Sequence, residues 1–481
     1  MKRLFPLLLL PTLALGRPLT YDEAVEAALR ANPSVLQAGS SIDMAEAGVL
    51  AARGIFDPAF TARSTLTAAS REGFFQGFPY TMDSRSWATK VGMQGSTATG
   101  TGYSLSSDLS HDRATYLTSF AEGVESESLQ EAYTSNFNLS LSQELLRGFR
   151  YAYNAQNLTR ARRDLDDAAL SAERTRQQAR AEAGAAYWTW EGKVMTAHLA
   201  QDAHAIAVEA LRVGTLQREA GELAPLEQTR LEAAVVQARA DLLDAARAEA
   251  QSRDALLLLM GEAPAQELLP ATPIGALRPA DIDAARAVEV AMAQNLDLLL
   301  ARSAVERAKE SASLARHAVL PSLTASGSVG RGAQNFESAP GALRDLLSDE
   351  AFPTWTAGAT LSAPVGNRAA RGARDQSLAS LQRSELQLAA LERQVRSQVG
   401  LAVQSLQSAA ERQELAAARV RLAAETLAAE EALADAGRRL LKDALEARRA
   451  LAAAQADEVT SLAAYRAAQV ELARLQGTLG D

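Results

Sequence analysis

Two hydrophobic rhythms alternate along this chain. Over most of its length apolar positions recur every three or four residues, and Leu391, Val395, Val399, Val403, Leu406 and Ala410 form the stripe of a packed helix. In two shorter regions the period drops to two. Phe60, Ala62, Ser64, Leu66 and Ala68 alternate with Thr61, Arg63, Thr65 and Thr67, which is the pattern of a strand with unlike faces. Further strands are predicted near 87–94, 102–109 and 133–143, then near 323–329 and 354–363, separated by Gly- and Ser-rich loops. Prolines are absent between Pro79 and Pro225 and again after Pro364, and beyond the strand regions these Pro-free tracts read as helix. The stretch 158–221 alone would span roughly 90 Å at 1.5 Å per residue.

The pattern is duplicated. An offset of 263 aligns 24–64 with 287–327 without a gap, matching Val25 to Val288, Glu26 to Glu289, Asn32 to Asn295, Arg53 to Arg316, Pro58 to Pro321 and Thr61 to Thr324. An offset of 216 aligns 218–261 with 434–477, matching Ala220-Gly221 to Ala436-Gly437, Asp241 to Asp457 and Gly261 to Gly477. The first copy therefore holds 47 more residues between its matched ends. We read a first repeat over 17–265 with strands at about 57–143, a linker over 266–278, and a second repeat over 279–481 with strands at about 322–364. Each runs helix, strands, long helix, turn, helix.

Lys2 and Arg3, the apolar run from Leu4 to Leu15 and Ala14-Leu15-Gly16 read as a secretory signal peptide over 1–16. Its removal takes Lys2 and Arg3 away, moving the formal charge from −9 to −11. An acidic chain does not suit nucleic acid. The absence of cysteine removes disulfides, thiol nucleophiles and thiolate metal sites. His198 and His204 stand six apart where helical metal pairs stand three or four apart. No metal, cofactor or catalytic residue is expected, and the chain reads as a non-enzyme.

The aromatics are uneven: 15 of 24 lie within 56–153 and three within 336–355. Aromatics and alternating strands suit an outer-membrane barrel; a small soluble sheet capping a helical rod is the other reading. Two strands per repeat cannot close a barrel alone, so the barrel reading requires several copies. The remaining aromatic cluster, Tyr187, Trp188 and Trp190, is expected to pack between helices.

Certain segments carry a family resemblance. The opening Leu19-Thr20-Tyr21-Asp22-Glu23-Ala24-Val25 with Asn32-Pro33, the run from Leu139 to Gln143 followed by Leu145-Leu146-Arg147-Gly148-Phe149, the junction Ala315-Arg316 with Leu320-Pro321, and the turns at Gly221 and Gly437 resemble TolC-like outer-membrane efflux proteins, by their duplicated order along the chain and over essentially the whole mature chain. The run 139–149 is similar to the strand-to-helix junction of one subgroup of that family, which usually carries proline where this chain has Glu144.

The resemblance implies a mainly α fold with a β membrane part: a homotrimeric outer-membrane β-barrel of twelve strands, set in outer-membrane lipid and continued by an α-helical barrel into the periplasm. The implied function is the exit duct of a tripartite efflux or type I secretion system. Its partners would be a periplasmic adaptor protein and an inner-membrane pump of the RND, ABC or MFS type. The strands within 87–109 are surplus to the family's four per chain; we read them as a peripheral hairpin, the alternative being that they widen the barrel. The family's acidic constriction maps to Asp443 and Glu446, which share a helix face at i and i+3 and would form a cation-favouring ring in three copies. Solvated tip charges are the plainer reading of both. Gly221 and Gly437 would permit the periplasmic tip turns, where an adaptor hairpin docks. The competing function is a periplasm-spanning helical spacer that conducts nothing.

Overall fold

A computed structural model of the chain describes residues 16–75, 77–120, 124–221, 223–264, 266–275, 283–435 and 441–479. The expected leader apart from Gly16, the last part of the expected linker (276–278) and Gly437 lie outside the described residues.

In chain order the elements begin β1 (Arg17–Leu19), α1 (Tyr21–Ala31), α2 (Pro33–Arg53), β2 (Ala59–Phe75), β3 (Phe78–Ser96), β4 (Thr101–Phe120) and β5 (Val124–Glu144). Next come α3 (Tyr151–Asn154), α4 (Gln156–Glu219), α5 (Pro225–Leu259) and β6 (Leu268–Pro270). The second series is α6 (Ala284–Gln294), α7 (Leu296–Ala318), β7 (Ser322–Asn335), α8 (Ala339–Leu347), β8 (Phe352–Ser362), α9 (Arg368–Asp435) and α10 (Leu441–Gln476). The chain is mainly helical with one substantial sheet.

Two compact units arise, and each draws on both halves of the sequence. One comprises Met1–Ile42, Asp167–Arg302 and Leu386–Asp481; the other comprises Asp43–Asp166 and Ser303–Glu385.

The first unit is helical. Thr20 caps α1 in a reciprocal box: the Glu23 amide donates to Thr20 Oγ1 at 3.2 Å, and the Thr20 amide donates to Glu23 Oε2 at 3.0 Å. Val395, Val399, Val403 and Leu406 are buried against Ala287, Ala291, Leu298 and Leu472, the use the stripe in α9 requires. A second core gathers Leu19, Ala24, Leu256 and Leu257 around Tyr187 and Trp190. Tyr187 Oη donates to the Leu19 carbonyl at 3.1 Å and accepts from the Thr272 amide at 3.1 Å, tying α4 to β1 and to the chain following β6. β1 and β6 pair in parallel.

Equivalent helix ends in this unit have equivalent geometry. Gly261 and Gly477 both take a left-handed conformation, φ +70° and +76°. The amide after each reaches back to close the turn, Glu262 to the Leu257 carbonyl at 2.9 Å and Thr478 to the Ala473 carbonyl at 3.0 Å.

The second unit is built on a sheet of order β2-β3-β4-β5-β7-β8, every neighbouring pair antiparallel. This corrects the peripheral-hairpin reading of the surplus strands. β3 is hydrogen-bonded along its length to β2 and β4, and β4 to β3 and β5, so both are full members of the sheet. The turn between them is the Gly-rich stretch, with Gly100 at φ +86°. β5 runs to Glu144, whose Oε1 accepts from Thr324 Oγ1 at 2.8 Å; the strand keeps its partner to the last residue without the family's proline. α8, capped by Ser338 and packed on β7, β5 and β4 through Ala342 and Leu346, has no counterpart in the sequence reading, nor do the short β1, α3 and β6.

Candidate functional site: a two-faced wall and an acidic helix start

The six strands share one register, so the residues opposite one another form rows across the sheet. One row reads Phe60, Met93, Leu105, Leu139, Val329, Trp355. The next reads Thr61, Gly92, Ser106, Asn138, Gly330, Thr354. Successive side chains of a strand point to opposite faces, so the first row lies on one face and the second on the other. The apolar face adds Leu66, Trp87, Val91, Leu109, Phe137, Leu141 and Leu361. The polar face adds Arg63, Lys90, Asp108 and Asn136, with Asn136 Nδ2 donating to Asp108 Oδ2 at 2.8 Å.

The apolar face is uncovered along this row: Phe60 is 74% and Trp355 77% exposed. Water penalises such a belt at about 25 cal/mol per Å² of apolar surface, and acyl chains do not. Alternating apolar-out and polar-in positions with aromatics among them are what a lipid-facing, water-lined wall requires. Farther along the strands the same face is covered by α8, which buries Ser135 and Ala333.

The predicted acidic pair lies on α10 in the other unit. Asp443 is in its first turn and half-buried, and Glu446 is exposed. Between and after them Ala444, Leu445 and Ala447 are buried, and Leu445 packs on Leu231 and Ala234 of α5. Packing therefore fixes the start of α10, and Glu446 is left to solvent. Nearby, Arg448 donates from Nε to Glu431 Oε1 of α9 at 2.7 Å, which occupies the adjacent cation. Gly221 ends α4 at φ +81°, with its amide donating to the Arg218 carbonyl at 2.9 Å, and a Cβ there would meet nothing. Pro225 then opens α5 at its first position.

Sequence reasoning passed over one buried acid. Glu191 is only 3% exposed, its Oε1 accepts from the Ile274 amide at 2.5 Å, and burial raises its pKa above the ordinary 4.5. Arg466 lies near, over the Trp188 ring at 5.2 Å and donating to the Ile274 carbonyl at 3.1 Å. In the sequence Glu191 is only an acid one residue from Trp190; the chain that buries it lies far off, at Ile274 and Arg466.

Residues 287–478 match the family model described as outer membrane efflux protein. The fold of nearly the whole chain is that of known outer-membrane channels. A membrane protein from Pseudomonas aeruginosa superposes with TM-score 0.64 at 18% identity, covering 96% of this chain and 91% of that one. The Campylobacter jejuni CmeC outer membrane channel gives 0.63 at 14%, covering 95% and 85%. The outer membrane protein VceC from Vibrio cholerae gives 0.63 at 16%, covering 95% and 96%. No curated protein matches by sequence. The resemblance to TolC-like outer-membrane efflux proteins thus holds, through the family match of residues 287–478 and the fold of nearly the whole chain. The protein is one of the outer membrane, extending into the periplasm.

Proposed function

We propose that this chain is the exit duct of a tripartite efflux or type I secretion system. In this reading the mature chain, 17–481, assembles as a homotrimer with the two repeats arranged as read from the sequence. The sheets of three copies close into one β-barrel in outer-membrane lipid, and the helices form a tube into the periplasm. Cargo moves passively, and the energy comes from an inner-membrane RND, ABC or MFS pump through a periplasmic adaptor. Asp443 and Glu446 from three copies form an acidic constriction that favours cations. The turns at Gly221 and Gly437 meet the adaptor.

The supporting observation is the unbroken apolar row from Phe60 to Trp355, backed by a polar row one residue away. A spacer that conducts nothing has no use for a lipid face on one side of a sheet and a hydrated face on the other. Separated membranes test the reading. The protein is expected in the outer-membrane fraction, released only by detergent, with the mass of a trimer, and its loss should sensitise cells to exported compounds. Recovery as a water-soluble rod, with no change in sensitivity, would replace the duct by the spacer.

A further inference from the structure

We propose that the trimeric wall has eighteen strands, closed by β2 of each copy pairing with β8 of the next. This rests on the duct reading above and departs from the twelve strands that the family resemblance implies. Four observations carry it.

First, β3 and β4 occupy the middle of the sheet with continuous register on both sides, so a wall containing β2 and β5 contains them too. Their apolar side chains Trp87, Val91, Met93, Leu105 and Leu109 lie on the same face as the lipid row. A hairpin standing in water would have no reason to continue that face.

Second, the two ends of the sheet are open edges. β2 has 17 residues and β8 has 11, and every residue of β8 is exposed. Unpaired backbone groups at membrane depth cost several kcal/mol each, so edges of this length must be paired. With six strands per chain, β2 and β8 run in opposite senses. Copies joined head to tail therefore stay antiparallel around a closed ring.

Third, the chain contains an internal template for the missing contact. β7 is the repeat counterpart of β2, because Ser64 aligns with Gly327. β8 is the counterpart of β5, because Leu361-Ser362 repeats Leu141-Ser142 at the strand's end. Within the chain β5 pairs with β7, Leu141 opposite Gly327 and Ser140 opposite Ser328. Transferring that register places Leu361 of one copy opposite Ser64 of the next, and Thr360 opposite Thr65.

Fourth, this register respects the faces without having been chosen to. Leu361 and Ser64 both belong to the apolar face, and Thr360 and Thr65 both belong to the polar one. A slip of one residue would have put lipid-facing side chains in the lumen. At equal strand tilt an eighteen-stranded wall is about one and a half times as wide as a twelve-stranded one. The lumen would be lined by Ser, Thr, Asn and Gly with the Arg63, Lys90 and Asp108 row, a bore suited to hydrated cargo.

Electron microscopy of the detergent-solubilised protein, viewed down the barrel, counts the strands. Eighteen is the expected result. Twelve strands with β3 and β4 outside the wall would overturn this inference and leave the duct intact. The absence of a closed barrel would overturn both. The lack of cysteine in the chain permits a second test that does not depend on images. Thr65→Cys with Thr360→Cys should oxidise to a covalent trimer on a denaturing gel. Thr65→Cys with Ala359→Cys, aimed at opposite faces, should not. Ser140→Cys with Ser328→Cys should close within one chain and shows that oxidation works in the wall. A nitroxide on Val91→Cys should relax with oxygen and not with an aqueous nickel complex; the reverse would place the β3–β4 hairpin in water.

Discussion

Asn32 and Asn295 interrupt their helices in the same way, 263 residues apart. Each ends one helix with similar backbone angles, φ −66° and ψ 116° at Asn32 and φ −59° and ψ 123° at Asn295, and caps the next with its own side chain, Asn32 Oδ1 accepting from the Ser34 amide at 2.8 Å and Asn295 Oδ1 from the Leu298 amide at 3.1 Å. They differ in burial. Asn295 is 5% exposed and its Nδ2 also donates to the Leu475 carbonyl at 2.8 Å, at the end of α10. Asn295→Ala leaves two buried backbone groups without partners and should cost about 2–3 kcal/mol. Asn32→Ala loses one exposed cap and should cost about 1 kcal/mol. Denaturant midpoints of the two variants in detergent check the order; equal losses would mean the Leu475 contact contributes nothing.

The left-handed glycines should separate by what surrounds them. Gly221→Ala meets no neighbour and should cost only the conformational penalty, about 1–2 kcal/mol. A Cβ on Gly477 would lie 2.5 Å from the Gln294 carbonyl oxygen, so Gly477→Ala must displace backbone and should be worse by more than that amount again. Thermal unfolding of both variants makes the comparison.

Glu191 gives a pH dependence with a definite sign. Its carboxyl holds a proton more tightly in the folded chain than in the unfolded one, because burial disfavours the charge. The folded state therefore binds more protons above the ordinary value of 4.5, and stability falls as pH rises from there through the folded pKa. Tyr187 and Arg466 are the titratable groups facing it, and Arg466 moderates the effect. Glu191→Gln keeps an acceptor for the Ile274 amide and removes the charge. Its midpoint should match that of the parent at pH 4 and exceed it at pH 8; a variant less stable at pH 8 would mean that the ionised carboxylate is favourable beside Arg466.

The two faces of the sheet should respond oppositely to the same substitution. Leu139→Arg puts a cation on the lipid face and should cost about 2–4 kcal/mol of folding in the bilayer. Ser140→Arg, one residue along, points to the polar face and should leave assembly intact. The yield of folded protein in the outer membrane distinguishes them, and equal yields would refute the assignment of faces.

Much of this architecture was legible in the sequence because repetition is insensitive to propensity. Asn32 matched to Asn295, and Gly261 matched to Gly477, marked helix breaks whose geometry proved similar, and the 47 extra residues between the matched ends lie mostly in β3 and β4, 78–120. The position of these strands could not be read in the same way. Alternation in Trp87, Val91 and Met93 says that a strand has two faces, but only the cross-strand register says which strand it joins. The burial of Glu191 arises from chain distant in sequence, the Ile274 amide and Arg466, so its shift had no local sign. At the acidic pair the sequence treated Asp443 and Glu446 alike. Their different exposure follows from Ala447 and Leu445 packing beneath the first turns of α10.

The central claim is conduction, and planar-bilayer recording of the purified protein tests it most directly. Stepwise, cation-preferring currents are expected, with selectivity weakened in the Asp443→Asn plus Glu446→Gln double variant. Currents with unaltered selectivity would refute the acidic ring. A protein that gives no steps and remains in solution without detergent would contradict the duct itself.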